Sequence, residues 1–217
     1  MKIIIPARLG SKGLPFKNRT LFDRTASIIP QAKRNSTWVT TDDPEIEAQA
    51  VDWGFNVIRR PAELSQDESS IRDVMLHAVR HLNLDSRELV LMLYLTYPER
   101  TWADVEAATE FFLQYYQYGA TDSLLCKKAV KSHPYLCLEE TGIGSAFGKQ
   151  ITPHDLYRRQ DYPTCFELSH YISIFEAGAI YRLNRNLYSN NTVFYGIGDP
   201  VDIDTQKDLE SLNERSN

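Results

Sequence analysis

Short apolar runs that alternate with helix-period stretches constrain this chain more than any other feature, because only an α/β layered architecture buries both kinds of segment. Residues 2–6, 37–41, 56–59 and 89–95 read as strands, the last as a buried central one. Between them, 70–82 carries Ile71, Val74, Met75, Ala78, Val79 and Leu82 on one helical stripe. Thr101 and Asp104 start a helix over 102–118 whose inner face is Val105, Ala108, Phe112 and Tyr115. Asp43-Pro44 opens another toward Trp53, stopped by Gly54, and Thr205 through Asp208 opens the last. The pattern predicts an α/β sandwich on a largely parallel sheet.

With 217 residues the chain suits one domain. The period weakens over about 127–162, where turn residues and scattered aromatics predict an excursion from the core and a subunit interface, hence a homodimer. Lys+Arg 24 against Asp+Glu 29 leaves a net charge of -5, which removes the basic field of a nucleic-acid binder, so an anionic ligand must meet a local group of cations. Cys126, Cys137 and Cys165 are odd in number and far apart, the pattern of a reducing compartment. The apolar run 89–95 is too short to cross a bilayer, and no membrane partner is expected; the reading is cytoplasmic.

The strongest chemical signal follows the first strand. Arg8, Gly10, Ser11, Lys12, Gly13, Lys17 and Asn18 fall within one short loop, where glycine lets backbone approach a ligand and cations offset phosphate charge. The spacing is neither a Walker A loop nor a dinucleotide fingerprint, and a triphosphate site competes with a plain solvated basic loop. Near the C-terminus, Val201-Asp-Ile-Asp204 read as a strand puts Asp202 and Asp204 on one face, a pair suited to Mg²⁺, with an ordinary half-buried strand as the alternative. Arg60 follows the third strand, and Ser70 either caps the next helix or turns its free N–H groups to a ligand. Asp43 reads as a cap. His77 and His81 lack an H-E-x-x-H frame and read as a solvated helix face.

In order along the chain, R-x-G-S-K-G-L-P-x-K-N, T-T-D-D, R-P-A-E-L with Asp67 and Ser69-Ser70 after it, Arg158-Arg-Gln160 and V-D-I-D resemble the acylneuraminate cytidylyltransferases, also called CMP-sialic acid synthetases. The resemblance runs from Met1 to about Glu210. It implies a Rossmann-like α/β/α fold akin to nucleotide-sugar transferases, and activation of an acidic 2-keto sugar by CTP and Mg²⁺ with release of pyrophosphate, for surface polysaccharide or glycoconjugate synthesis. By the same resemblance Arg8, Gly10, Ser11, Lys12, Lys17, Asn18, Arg60 and Ser70 hold the nucleotide, and Asp202 and Asp204 hold the metal. Arg8 and Lys12 offset developing charge, Asp202 is the candidate proton acceptor, and Arg159 and Gln160 reach a sugar, from a dimer partner.

Three departures bear on the sugar. The family's Q-P-T-S-P-L-R is here Tyr94-Leu-Thr-Tyr-Pro-Glu-Arg100, its N-G-A-I-Y-I is Ser169-His-Tyr-Ile-Ser-Ile174, and the stretch 19–36 is shorter than usual. Tyr94 and His170 are therefore expected to reshape the sugar pocket. Three readings remain: a transferase for a sialic-acid-like sugar, one for another ulosonic acid such as 3-deoxy-octulosonate, and a nucleotide binder without turnover.

Overall fold

The computed structural model describes residues 1–10, 13–140 and 148–215. Its strands β1 (Lys2–Ala7), β2 (Thr37–Thr41), β3 (Asn56–Arg59), β4 (Leu89–Met92), β5 (Ser123–Ala129), β8 (Phe166–Glu176) and β9 (Thr192–Gly196) form a seven-stranded sheet ordered β3-β2-β1-β4-β8-β5-β9. Every neighbouring pair is parallel except the two made by β8, so the sheet is mostly parallel, as the alternation predicts. A two-stranded hairpin of β6 (Leu138–Glu140) and β7 (Gly148–Gln150) stands apart from it.

Consecutive residues of a strand face opposite layers, and β1 shows the consequence. Ile3 and Ile5 enter a core with α1 (Lys17–Ile28), α2 (Pro44–Asp52) and α4 (Trp102–Tyr116), through Phe22, Ile46 and Phe112. Ile4 enters a second core with α3 (Ile71–His81), through Val74, Met75 and Ala78. The result is a three-layer α/β/α sandwich. α5 (Gln206–Arg215) joins the first layer through Leu212.

Caps account for the helix starts. Asp43 accepts from Glu45 N–H before α2, Ser70 accepts from Asp73 N–H before α3, and Thr101 and Asp104 form a reciprocal capping box on α4. α1 has no counterpart among the sequence expectations: Phe16 stands at its N-cap with φ 54 and no side-chain cap. Three further expectations are corrected, and β8 and β9 have no counterpart among them. β4 ends at Met92 rather than 95, because its pairing with β1 stops at Ile4 while β1 continues to Ala7 beside β2 alone, and past Met92 only Leu93 N–H still reaches Ile4 O, at 3.1 Å. Residues 201–204 make no strand, since they lie beside no strand edge. The excursion begins after Ala129, because β5 runs through Lys127 and Lys128. Of these unexpected strands, β8 has an apolar pattern broken by polar residues, and β9 is a short Thr-Val-Phe-Tyr-Gly run.

Candidate active site

Between β1 and β4 the strand order reverses, and at such a point the carboxyl ends of parallel strands part to leave a crevice. A cavity of about 270 Å³ lies there, bordered by Pro6 near the end of β1, Arg8 and Gly10 after it, Lys17 and Asn18 on α1, Arg60 after β3, and Tyr94 and Thr96 after β4. The loop from β1 is fixed from both sides. Asn18 Nδ2 donates to Arg8 O and Leu9 N–H donates to Asp42 Oδ1, each at 2.8 Å.

Three cations converge on this space. Arg8 pairs with Asp67 at 2.8 Å and Lys17 with Asp204 at 2.8 Å, so each is steered by a carboxylate that a more charged ligand could displace or share. Arg60 is only 8 % exposed. Its backbone N–H donates to Thr41 O and its guanidinium to Thr40 O at 2.7 Å, while Nε has no protein partner. Burial lowers its pKa to about 10, partly offset by Asp42, so it stays charged at neutral pH. A buried cation with an unused donor beside a cavity is arranged for an anionic or carbonyl-bearing ligand.

The 201–204 segment does not itself border the cavity but is tied to two residues that do, Lys17 and Thr96. Ile203 is fully buried and its N–H donates to Thr96 O at 2.8 Å, which pins the segment to the chain leaving β4. The expected inward turn of Val201 and Ile203 holds without a ladder. Gly13 packs against this segment so closely that a Cβ there would overlap Asp204 O. Asp202 keeps a buried Oδ1 with no protein partner. Tyr97, raised in pKa first by burial and further by Asp202, has its hydroxyl 3.2 Å from Ser169 Oγ. Among the described residues no group of three or more His, Cys, Asp or Glu could hold a metal by itself. Two carboxylates, one with an orphaned oxygen, do fit a cation that completes its shell with phosphate and water.

Tyr94 borders the cavity and also packs on both hydrophobic cores. Burial raises its pKa above the usual phenol value, with Arg60 pulling the other way. His170 meets it edge-on, with ring centroids 5.5 Å apart, and burial lowers the His170 pKa while its Nδ1 lacks a partner. Ser70 is the α3 cap: its hydroxyl donates to Asp73 Oδ2 at 2.7 Å, and its neighbours Ser69 and Ile71 border the cavity instead. Arg159 and Gln160 sit exposed on a 3-10 turn, Arg159–Asp161, and do not border it. Ser11 and Lys12 lie outside the described residues. His81 is exposed, while His77 is half-buried with an unpartnered Nδ1, so the solvated face holds only in part.

Sequence reasoning did not assign Asp42 or Gln66 to the site, nor Asp67 beyond its place in a motif. The signal for Asp67 was its position in the loop that follows Arg60, and for Asp42 its place in T-T-D-D; Gln66 carries none beyond adjacency. Arg100 was equally unread.

A cytidylyltransferase family model matches residues 2–140. An N-acylneuraminate cytidylyltransferase of Streptococcus agalactiae (serotype V) is 26% identical over 201 residues, which is 88% of this chain and 45% of that protein. N-acylneuraminate cytidylyltransferase A of Danio rerio is 37% identical over 93 residues, 40% of this chain and 21% of the fish protein. The chain thus spans about half the length, or less, of these relatives. A solved structure of CMP:2-keto-3-deoxy-manno-octonic acid synthetase complexed with CTP superposes with a TM-score of 0.65 at 18% identity, covering 99% of this chain and 97% of that one. With the family model covering well over half of its residues, the chain belongs to the cytidylyltransferase family.

Proposed function

We propose that the chain transfers CMP from CTP to an acidic 2-keto sugar and releases pyrophosphate. The observation that carries this reading is the convergence of Arg8, Lys17, Asn18 and Arg60 on one cavity at the β1/β4 reversal, with the Asp202–Asp204 segment tied to its rim through Lys17 and Thr96. The triphosphate lies along the loop after β1, where Arg8 and Lys17 exchange their carboxylate partners for phosphate oxygens. Arg60 offers its unused Nε to the nucleoside end. The sugar hydroxyl attacks the α-phosphorus in line, and the preset cations stabilise the charge that grows on the leaving pyrophosphate. Lys12 belongs to this group by its place in the loop.

Asp202 and Asp204 would hold Mg²⁺, which polarises phosphoryl oxygens and orients the leaving group when bound. Asp202, with its orphaned oxygen, is also the group we assign to accept the hydroxyl proton. Tyr94 and His170 place a paired aromatic floor beside the cavity, which favours an acceptor other than N-acetylneuraminate, such as 3-deoxy-octulosonate.

The excursion supports a homodimer: Leu138, Ile151 and Tyr157 expose 66%, 58% and 96% of their surface, and Phe166 and Leu168 of β8 are also exposed. Arg159 and Gln160, idle toward the cavity of their own chain, would serve that of the partner. Three free cysteines and no helix long and apolar enough to cross a membrane, among the described residues, support a cytoplasmic setting. Pyrophosphate release from CTP and Mg²⁺, across a panel of 2-keto sugar acids, tests the reaction; no release with any acid overturns it. Light scattering that shows an active monomer overturns the dimer.

A further inference from the structure

Arg100 is 2% exposed, one of the largest fully buried side chains, and no carboxylate among the described residues pairs with it within salt-bridge distance. Its Nη2 donates to Tyr94 O at 2.7 Å, its Nη1 to Tyr171 O at 2.7 Å, and Nη2 reaches Thr25 Oγ1 on α1 at 3.4 Å. Asp104, which acts on it from a distance, is already engaged by Thr101 and by the Tyr171 hydroxyl.

The two carbonyls lie where the sheet gives no support. Tyr94 comes after β4 has ended at Met92. On β8 the pairing with β4 stops at Ser173, and the pairing with β5 skips from Ile174 to Ser169 across an irregularity at Leu124/Cys126. Residues 170–172 are therefore in register with neither neighbour, and Tyr94 and His170 touch across this gap. A buried cation is a poor way to gain stability, because an apolar side chain of like volume often serves as well, and here Nε stays unpaired. Its donors instead stand in for missing ladder bonds on both sides of one contact.

We propose that Arg100 is a positioning residue for the acceptor half of the site, holding the Tyr94 and Tyr171 backbones so that the Tyr94–His170 floor keeps its shape. This rests on the transferase reading above. Arg100→Met and Arg100→Lys test it in the pyrophosphate assay, with N-acetylneuraminate and 3-deoxy-octulosonate as acceptors. In Arg100→Met the acceptor KM rises at least about tenfold, the loss of one charge-assisted contact, while the KM for CTP moves less than about threefold. Arg100→Lys recovers part of the loss, since an ammonium still reaches a carbonyl. Equal rises in both KM values, or no rise in either, overturn the proposal.

If the wild type releases no pyrophosphate, the transferase reading fails, and hydrogen exchange decides the positioning role. Arg100→Met then speeds amide exchange over 93–97 and 169–173 but not over 2–7 and 37–41; uniform or unchanged exchange overturns it. Should the methionine variant not fold, the same comparisons are made on Arg100→Lys.

Discussion

Gly13→Ala separates the architecture of the loop from its chemistry. A Cβ at Gly13 would run into the carbonyl oxygen of Asp204, a backbone atom that no rotamer change can move aside. The 201–204 segment cannot retreat freely, because Ile203 is buried and bonded to Thr96 O, and Lys17 holds Asp204 from the other side. Overpacking of this kind costs about 1–3 kcal/mol. A domain of this size loses roughly 2–4 °C of Tm per kcal/mol, so differential scanning fluorimetry should read a fall of about 2–12 °C. Gly10→Ala is the control: a Cβ there meets nothing within 4 Å, so Tm should hold or rise slightly. Because Gly10 borders the cavity, that variant should instead weaken CTP binding in calorimetry. Equal Tm values for the two variants would refute the claim that the loop is built against the carboxylate segment.

Asp204→Asn, at a side chain 71% exposed, should leave Tm nearly unchanged and abolish Mg²⁺-dependent pyrophosphate release; near-normal turnover would remove Asp204 from the metal site. Arg60→Met should weaken CTP binding at least about tenfold with a small change in Tm, and an unchanged Kd would show that the buried guanidinium never meets the nucleotide. Burial lowers the His170 pKa, so as pH falls below about 6.5 the unfolded chain takes up a proton that the folded chain refuses, and stability declines by up to about 1.4 kcal/mol per pH unit. His170→Gln should flatten part of that decline, leaving the share of His77, whose pKa burial also lowers; an identical profile would refute the assignment. Burial pushes the Cys126 thiol up to about 12, so iodoacetamide at pH 8 should spare it in the native protein, and labelling there would contradict its burial.

What the sequence discloses follows from how local each signal is. β1, β2 and β3 are short runs rich in apolar or β-branched residues, and α2, α3 and α4 announce themselves through caps within three residues of their starts, so both kinds can be read directly. β8 hides because Ser169, His170 and Ser173 interrupt its apolar pattern, although all three are wholly or largely buried. α1 hides because its N-cap is a phenylalanine with positive φ, a conformation that composition does not forecast. The cationic loop is legible since its members are neighbours in sequence. Its carboxylate partners Asp42 and Asp67 arrive from the loops after β2 and β3, and only the fold brings them in. Arginine is rarely buried, so nothing in the residues around Arg100 reveals that it lies inside.

The pairing of β5 with β8 has a modular consequence. Ala129 stands opposite Phe166 in antiparallel register, which makes everything from 130 to 165 the connection of a hairpin. Excising that connection and joining Ala129 to Phe166 through a four-residue turn shortens the loop about ninefold, which lowers its closure entropy by about 2 kcal/mol. The sheet would thus tolerate loss of its appendage, and a lineage could exchange one exposed surface for another by swapping a single loop, with the β1/β4 crevice on the far side of β8 left in place.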